Sequence, residues 1–210
     1  MRPIVLIGGG GHCKSVIEAA VSQGIEILGI LDLPGHLGEN VLDFKIIGTD
    51  EDIKRYASTA DFVITIGQIK DPVGRMKTDR LISEAGGKLA TIIASTAHVS
   101  RYAKIGEGSV ILHGATVNAD AVIGRNAIIN TLANLEHDAQ IGDFCHISTG
   151  VMVNGNVTIG DKVFIGSQCV VANGISICSD SIIGAGSLIR KDVDIAGVYA
   201  GNPLKSILEL

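Results

Sequence analysis

Among the side chains that can move a proton near neutral pH, His137 has the most informative neighbours, because it stands between Glu136 and Asp138. The pKa of a free histidine lies close to physiological pH, so a neutral imidazole can accept a proton from an attacking nucleophile. An adjacent carboxylate can orient the ring and raise its basicity. The spacing therefore predicts a general base at His137, with Asp138 or Glu136 as its partner.

The remaining histidines carry weaker signals. We expect His36 and His98 at the surface, and also His113, which repeats the position of His137 in a six-residue pattern but has no flanking acid. A metal site formed by His113, His137 and His146 is the main alternative chemistry. Their spacings of 24 and 9 residues do not match the three convergent histidines that β-helical carbonic anhydrases need. We therefore predict no metal site.

Four consecutive glycines at residues 8–11 precede His12, between an apolar segment and an amphipathic one. A glycine-rich turn between a strand and a helix lets the backbone approach a phosphate at the helix N-terminus. A dinucleotide site needs G-x-G-x-x-G, and Cys13 occupies the third glycine position, although Asp32 stands where a ribose-binding acid is expected. Three interpretations remain open: a dinucleotide site, a sugar-nucleotide site, and a tight turn without a ligand.

The elements that must position this turn alternate between strand-like and helix-like segments, which predicts a small parallel α/β sheet. Strands are expected at residues 3–8, 25–31, 45–47, 62–66 and 89–92. Helices are expected at residues 13–22, after a cap at Thr49 or Asp50, and at residues 72–85.

A repeat positions His137. From Ile93 to Ile195 every sixth residue is Ile, Val or Leu, and a second series of small or β-branched residues runs two positions earlier, from Ala97 to Cys169. Neither a helix nor a simple strand has a period of six, whereas a short strand followed by a corner does. The pattern predicts a β-helix whose anchor side chains all point inside. We expect an α/β domain at residues 1–90, the β-helix at 91–198 and a C-terminal tail at 199–210.

Composition agrees with an aliphatic core, since the 210 residues include 27 glycines, no tryptophan and only 3% aromatic residues. A hydrophobic fraction of 46% and a net charge of −5 exclude a disordered chain. No basic face or aromatic set suggests nucleic acid, and no apolar run is long enough to span a membrane. The four cysteines form no CxxC pair, so we expect reduced thiols in a cytoplasmic protein.

Residues 93–195 resemble the left-handed parallel β-helix of hexapeptide-repeat acyltransferases, in which three hexads form one coil of 18 residues. The glycine turn, Asp32 and the strand end from Phe62 to Gly67 resemble the N-terminal domain of the family of sialic acid O-acetyltransferases and UDP-amino-sugar N-acetyltransferases, which includes perosamine N-acetyltransferases. The segment from Asn130 to Ser148, with its Glu-His-Asp motif, resembles the active-site segment of the same family.

This resemblance implies a Rossmann-like α/β domain followed by an all-β left-handed β-helix, in a homotrimer with active sites between neighbouring β-helices. It makes His137 the general base, Asp138 the residue that tunes it, and Asn130 a residue that places the sugar. It implies that His146 contacts acetyl-CoA from the neighbouring subunit. The residues implied to hold the nucleotide are Gly10, Gly11, His12, Asp32 and Gly67.

The 18-residue coil adds further candidates for binding acetyl-CoA. Gly155 lies one coil beyond His137, where its N–H could stabilise the thioester oxygen as negative charge develops. Ser167 and Ala185 are also one coil apart, so their backbone groups could bind the amides of the pantetheine arm.

The sequence thus predicts an acetyl-CoA-dependent N-acetyltransferase that acts on the amino group of a nucleotide-linked amino-deoxy sugar for bacterial surface glycans. We expect a cytoplasmic homotrimer without a metal, nucleic acid or membrane partner. Two alternatives remain open. One is a sialic acid O-acetyltransferase on the same scaffold, and the other is a non-catalytic trimeric module that binds sugar nucleotides.

Overall fold

An α/β unit occupies the first part of the chain in the computed structural model, which describes residues 2–207. Its strands and helices alternate as the hydrophobic pattern predicts, although most strands are shorter than expected and the first helix begins earlier. A short strand, β3, was not predicted. In chain order the elements are β1 (Ile4–Ile7), α1 (Gly11–Ser22), β2 (Ile27–Leu31), a 3₁₀ turn (Pro34–His36), β3 (Asn40–Val41), β4 (Phe44–Gly48), a second 3₁₀ turn (Asp50–Asp52), α2 (Ile53–Tyr56), β5 (Asp61–Ile64) and α3 (Val73–Glu84).

These strands form one sheet in the order β3-β4-β2-β1-β5. β4, β2, β1 and β5 are parallel as predicted, whereas β3 pairs with β4 in an antiparallel hairpin. The strand expected at residues 89–92 does not form. Leu89 makes a single bridge to Phe62, and Ile92 already belongs to the next unit.

β1 is the strand at which the sheet order reverses, because β2 lies on one side of it and β5 on the other. The loops that follow β1, β2 and β5 carry Gly8, Asp32 and Gly67, and parallel strands bring these loops to one edge of the sheet. Open parallel sheets bind ligands in the crevice at such a reversal. The fold therefore brings the predicted nucleotide-binding residues together.

The rest of the chain is mainly a β-helix of two-residue strands joined by corners. Each strand pairs with the strand 18 residues later, as Thr116 does with Asn134 and Ile128 with His146, so three hexads make one coil as expected. The strands are β6 (Ile92–Ile93), β7 (His98–Val99), β8 (Lys104–Ile105), β9 (Val110–Ile111), β10 (Thr116–Val117), β11 (Val122–Ile123), β12 (Ile128–Ile129), β13 (Asn134–Leu135), β14 (Gln140–Ile141), β15 (His146–Ile147), β16 (Met152–Val153), β17 (Thr158–Ile159), β18 (Phe164–Ile165), β19 (Val170–Val171), β20 (Ser176–Ile177), β21 (Ile182–Ile183) and β22 (Leu188–Ile189).

The stacked strands form three parallel sheets, which are the faces of a triangular prism. Face 1 contains β6, β9, β12, β15, β18 and β21, face 2 contains β7, β10, β13, β16, β19 and β22, and face 3 contains β8, β11, β14, β17 and β20. The corners stack into three edges, each named by one residue. The Asn130 edge joins face 1 to face 2, the His137 edge joins face 2 to face 3, and the Asp143 edge joins face 3 to face 1.

Anchor side chains fill the prism, and every anchor from Ile111 to Ile189 is at most 4% exposed. The prediction is wrong for the last anchor, because Ile195 is 75% exposed. Val193 is buried in its place and bridges to Ile177. The final coil is two residues shorter than the 18-residue coils before it, so the six-residue spacing of buried anchors ends at Ile189.

Beyond this shortened coil, strand β23 (Val198–Ala200) continues face 1, and β24 (Lys205–Ser206) pairs with it in the antiparallel direction. The tail predicted to begin at residue 199 therefore starts inside a paired strand. The end of that predicted tail, residues 208–210, lies outside the described residues.

Corner geometry explains why small and polar residues recur at the bends. Every sixth residue from Gly108 to Gly186 has a positive φ, a conformation that Gly, Asn and Asp adopt most readily. Other glycines permit close stacking instead. A Cβ on Gly142 would lie 2.6 Å from the carbonyl carbon of Gly160 in the next coil. The glycines that follow the anchors thus let successive coils approach each other.

The α/β unit packs against face 1, where Ile92, Val110 and Ile128 are fully buried in one cluster with β1 and α1. Arg75, on α3, is 1% exposed and donates hydrogen bonds to the carbonyl oxygens of Ile66 (2.7 Å) and Asn126 (2.8 Å). Its guanidinium therefore ties the end of β5 to a corner of the β-helix. Within residues 2–207, no helix has both the length and the apolar character needed to cross a membrane.

Candidate active site

His137 lies in the corner after β13, and its side chain is 61% exposed. Its Nδ1 is 2.8 Å from Oδ2 of Asp138. This hydrogen bond, reinforced by the charges of Asp138 and Glu136, raises the pKa of His137 above its ordinary value. Because Asp138 engages Nδ1, Nε2 is the ring nitrogen that is left to accept a proton.

Glu136, the other flanking acid, is held away from the imidazole. Its two carboxylate oxygens accept hydrogen bonds from the side-chain amides of Asn118 and Asn134, each at 3.0 Å. Asn118 lies one coil before Glu136 on the His137 edge, and Asn134 lies on face 2. The structure thus identifies Asp138 as the acid that orients the base, whereas Glu136 acts on it only through its charge.

Gly155 lies against the imidazole in the next coil. A Cβ at this position would lie 2.7 Å from both Cε1 and Nε2 of His137, so any larger residue would displace the ring. In the part of the chain that the structure describes, the N–H of Gly155 donates to no protein acceptor. This edge therefore offers a free hydrogen-bond donor close to the nitrogen that can accept a proton.

The glycine turn leaves the start of α1 open. Gly8 has a φ of 105°, and a Cβ there would collide with Ile66, so this position requires glycine. Additional Cβ atoms on Gly10 or Gly11 would meet no atom within 4 Å, and no side chain caps the helix. Gly10 and Asp32 line a cavity of about 360 Å³. A phosphate could approach the helix N-terminus in this space.

A second cavity, of about 650 Å³, lies between the α/β unit and the Asn130 edge. It brings together all four of the remaining residues that were predicted to bind the sugar nucleotide, and it includes His146. The predicted residues that line this cavity are Gly11, His12, Gly67, Asn130 and His146. Among them, His12 is buried, and this burial, reinforced by the charge of Arg75, lowers the pKa of His12 to about 3.

His146 is 8% exposed and both of its ring nitrogens have protein partners. Nδ1 is 2.6 Å from the backbone oxygen of Gln68, and Nε2 is 3.1 Å from Nδ2 of Asn130. Burial lowers the pKa of His146 to about 4, although the hydrogen bond to Gln68 acts in the opposite direction. The ring is therefore neutral at physiological pH.

The residues predicted to bind acetyl-CoA lie in two places. Gly155 lies on the His137 edge, whereas Ser167 and Ala185 lie on the Asn130 edge, with Gly186 donating a hydrogen bond to the oxygen of Ser167 at 2.9 Å. His146 lies on face 1 beside that second edge. One chain alone does not bring the whole set together, so the role of these residues remains a prediction.

The three edges differ in how their corner N–H groups are used, a difference that the repeat pattern of the sequence does not reveal. On the Asp143 edge these groups are satisfied by side chains of the next coil. The backbone N–H of Arg125 donates to the carboxylate of Asp143 at 2.7 Å, and the backbone N–H of Asp143 donates to the carboxylate of Asp161 at 2.8 Å. The backbone N–H of Asp161 donates to the hydroxyl of Ser179 at 2.9 Å. Within residues 2–207, the N–H groups of Gly155 and Ser167 on the other edges have no such partner.

Other chemistry finds less support. No group of three His, Cys, Asp or Glu side chains in residues 2–207 is arranged to hold a metal ion. His113 lies on the Asn130 edge and contacts Thr96 at 2.8 Å, away from the edge that carries His137. Burial raises the pKa of the Cys13 thiol to about 11 and that of Cys145 to about 12, so neither is a ready nucleophile at neutral pH.

Two family descriptions match parts of this chain. Residues 3–71 match the family described as the PglD N-terminal domain. Residues 156–191 match the family described as bacterial transferase hexapeptide with six repeats. These two matches fall on the α/β unit and on the β-helix, respectively.

Solved structures match along the whole chain. A mutant of perosamine N-acetyltransferase from Caulobacter crescentus, in complex with CoA and GDP-perosamine, is 31% identical over 100% of this chain and 98% of its own, with a TM-score of 0.92. The acetyltransferase domain of PglB from Neisseria gonorrhoeae, in complex with acetyl coenzyme A, is 32% identical over 98% of this chain and 99% of its own, with a TM-score of 0.89.

A curated relative from Acanthamoeba polyphaga mimivirus, the uncharacterized protein L142, is 36% identical over 112 residues, which are 51% of this chain. The match spans 21% of the length of that relative. It therefore carries no argument about activity.

Proposed function

This chain belongs to the family of left-handed β-helix acyltransferases that contains the perosamine N-acetyltransferase of Caulobacter crescentus and the PglB acetyltransferase domain, and from this premise we propose its reaction. It transfers an acetyl group from acetyl-CoA to the amino group of a nucleotide-linked amino-deoxy sugar. The observation that carries the proposal is the contact of His137 with Asp138 on one side and Gly155 on the other.

The arrangement suits direct transfer. The amine of the sugar attacks the thioester carbon, and Nε2 of His137 accepts the proton that the nitrogen loses as the new C–N bond forms. The N–H of Gly155 stabilises the negative charge that develops on the thioester oxygen. When the C–S bond breaks, the protonated His137 returns its proton to the CoA thiolate. No covalent acyl-enzyme is needed, in agreement with the raised thiol pKa values of Cys13 and Cys145.

The loops at the carboxyl ends of β1, β2 and β5 hold the nucleotide in this proposal. The N-terminus of α1, which no side chain caps, attracts the diphosphate, and Asp32 accepts a hydrogen bond from a ribose hydroxyl. Asn130 reaches the sugar from the β-helix. The perosamine N-acetyltransferase was solved with GDP-perosamine, which makes this sugar nucleotide a direct probe for the chain studied here.

We further propose that the chain functions as a homotrimer. His137 and Gly155 lie on one edge of the prism, and Asn130, Ser167 and Ala185 lie on another, so a site that uses all of them needs two chains side by side. Most soluble oligomers have closed symmetry, and three equivalent prisms can place the His137 edge of each against the Asn130 edge of the next.

The shared site has a direct test. His137→Ala and Asn130→Ala variants, inactive separately, are mixed after denaturation and refolded together. Random assembly of sites shared by two chains regains roughly a quarter of wild-type activity, because roughly a quarter of the sites take both intact residues. If each site lies within a single chain, the refolded mixture regains no activity. Sedimentation equilibrium measures the assembly state independently.

The reaction is tested with a panel of acceptors and acetyl-CoA. We expect acetylation of GDP-perosamine or a UDP-linked 4-amino sugar, and little transfer to sialic acid, which lacks the nucleotide. Each ligand is also tested by thermal shift, since a ligand present at about 100 times its Kd adds about 2.7 kcal/mol of stability. A His137→Ala enzyme that keeps more than about a tenth of wild-type kcat contradicts the mechanism, because a general base contributes about 100-fold or more.

A further inference from the structure

Two Asn-Gly dipeptides lie one after the other on the His137 edge. Asn154 precedes Gly155 in the coil that follows His137, and Asn173 precedes Gly174 in the coil after that. No other asparagine in the sequence is followed by glycine. In an Asn-Gly pair the backbone nitrogen of the glycine can attack the side-chain amide of the asparagine, because glycine has no Cβ that obstructs the approach. This edge therefore contains two candidate sites of deamidation.

Deamidation of such a pair follows a defined chemistry. A base takes the proton from the backbone nitrogen of the glycine, and this nitrogen bonds to Cγ of the asparagine. The bond between Cγ and Nδ2 then breaks, and the departing nitrogen takes up the proton and leaves as ammonia. The product is a cyclic imide whose nitrogen carries no hydrogen. Water opens the imide on either side, which leaves aspartate or isoaspartate in the chain.

The two glycines differ in the state of the backbone N–H that must react. The N–H of Gly174 donates a hydrogen bond to the oxygen of Gly155 at 3.0 Å. Within residues 2–207, the N–H of Gly155 donates to no protein acceptor, although the next N–H along the chain, that of Asn156, donates to the oxygen of His137 at 3.0 Å. Attack by the nitrogen of Gly174 therefore requires a hydrogen bond to break first, whereas attack by the nitrogen of Gly155 does not.

A base and an unrestrained amide accompany the free N–H of Gly155. A Cβ built on Gly155 would lie 2.7 Å from Nε2 of His137, so the ring nitrogen that can accept a proton lies close to this glycine. Carboxylate oxygens of Glu136 hold the side-chain amides of Asn118 and Asn134. In the part of the chain that the structure describes, no comparable hydrogen bond holds the amide of Asn154.

We propose that Asn154 is a modification site, at which the backbone nitrogen of Gly155, assisted by His137, displaces the side-chain amide and thereby inactivates the enzyme. The imide has no hydrogen to donate at the position of Gly155. Isoaspartate adds a carbon atom to the backbone and moves Gly155 away from the imidazole. Acetyl-CoA protects the site, and this protection rests on the proposed function, in which the N–H of Gly155 binds the thioester oxygen.

The first experiment compares the two asparagines in the wild-type protein without acetyl-CoA. The protein is incubated at mildly alkaline pH, and conversion of each asparagine is followed by peptide mass spectrometry, with isoaspartate detected by enzymatic methylation. We expect Asn154 to convert about fivefold faster than Asn173 or more, because one hydrogen bond must break at Gly174. Exposure alone predicts the opposite order, since Asn173 is exposed and Asn154 is half-buried. Equal rates, or faster conversion at Asn173, overturn the proposal.

Matched variants test whether the modification causes the loss of activity. Asn154→Gln keeps a side-chain amide, but its attack would form a larger ring that closes far more slowly. We therefore expect this variant to keep its activity during the incubation, whereas Asn173→Gln loses activity as fast as the wild type. If Asn154→Gln inactivates at the wild-type rate, modification of Asn154 is not the cause.

The part played by His137 is measured without reference to activity. In His137→Ala, conversion at Asn154 should slow by about tenfold or more, because a general base has been removed. Conversion at Asn173 serves as the internal control, and it should stay at the wild-type rate if the coil is intact. An unchanged rate at both asparagines overturns the assistance by His137.

Protection by acetyl-CoA is tested in the same incubation with a saturating, replenished supply of this ligand. We expect conversion at Asn154 to slow by about fivefold or more, since the N–H of Gly155 is then engaged, and conversion at Asn173 to stay unchanged. If Asn154 converts selectively and acetyl-CoA does not slow it, the proposed contact between the thioester and Gly155 has failed while the modification site stands. If Asn154 does not convert at all, the modification site is overturned, whichever sugar the enzyme acetylates.

Discussion

Asp138 and Glu136 flank the same histidine, yet only Asp138 touches the imidazole. Asp138 occupies the positive-φ position of its corner, with a φ of 61°, and its carboxylate meets Nδ1 of His137. Glu136 is occupied by the amides of Asn118 and Asn134. At this scale the division of roles follows from the corner: the residue that turns the chain is also the one that orients the base.

Replacing Asp138 with Asn should move the pH dependence of the reaction. The carboxylate raises the pKa of His137, and the base must be unprotonated to work, so removing the charge shifts the acidic limb of kcat/KM to lower pH. The plateau value should fall as well, because the neutral amide supports the imidazolium less well. The pH profiles of wild type and Asp138→Asn measure both effects. If the acidic limb of kcat/KM lies at the same pH in both enzymes, Asp138 does not set the pKa of the base.

Gly155→Ala should impair catalysis without unfolding the protein. The new Cβ would lie 2.7 Å from the imidazole, and because that side chain is 61% exposed it can move aside and lose its contact with Asp138. We expect a loss in kcat of about 100-fold, comparable to losing a general base, with little change in the thermal midpoint. Retention of full activity would mean that the ring needs no contact with this glycine.

The sequence predicts much of this site, since the Glu-His-Asp motif is local and Gly155 follows from the 18-residue coil. It does not predict the partners of His146. Gln68 lies 78 residues earlier in the chain, and no periodic pattern links the loop after β5 to a strand of face 1. Contacts of this kind depend on how the two units pack against each other. No repeating pattern in the sequence indicates that packing.

At the scale of the corner, two kinds of glycine should respond differently to the same substitution. Gly142→Ala places a Cβ 2.6 Å from the backbone of the next coil, so it should cost several kcal/mol or misfold the chain. Gly174→Ala meets no atom within 4 Å and suffers only from its positive φ of 69°, at about 1 kcal/mol. Urea denaturation compares the two, and equal losses would contradict this distinction between stacking and turning glycines.

The six-residue period predicts nearly every short strand correctly because the interior of the prism accepts one aliphatic side chain per corner. It fails at Ile195, where the sequence continues the six-residue pattern although the last coil is two residues shorter than the others. The positive-φ series is visible in the sequence as recurrent Gly, Asn and Asp, but four residues interrupt it: Leu132, Phe144, Lys162 and Gln168. In those corners the backbone N–H of the residue donates to a carbonyl oxygen of the preceding coil, and this contact overrides the local preference of the residue.

For the molecule as a whole, the junction between the α/β unit and the β-helix contains neutral histidines and one buried guanidinium. The pKa of His12 is lowered to about 3 and that of His146 to about 4, and in both cases burial is the largest cause. Arg75 contributes to both shifts and itself bonds across the junction to the oxygen of Asn126. The two histidines at this junction thus stay neutral, while the guanidinium of Arg75 keeps its charge.

This junction should make the protein sensitive to acid. Below pH 6.5 the unfolded chain protonates His146 whereas the folded chain does not until about pH 4, so stability falls across this window as the pH decreases. The slope reaches about 1.4 kcal/mol per pH unit for this residue, and His12 adds to it with the same sign. Unfolding free energies measured at one protein concentration from pH 7 to pH 4.5 test this, and His146→Asn should flatten the slope. An unchanged slope would assign the acid sensitivity to other groups.

The C-terminal end of the β-helix departs from the regular stacking of parallel strands, and this has a consequence for solubility. An open end of stacked parallel strands is a template to which another chain can add, which is how fibres and aggregates grow. At the end of face 1, β24 pairs with β23 in the antiparallel direction, and the coil before this hairpin is shorter by two residues. A second copy of the chain therefore finds no parallel strand in register at the end of this face, and we expect end-to-end association to be disfavoured there.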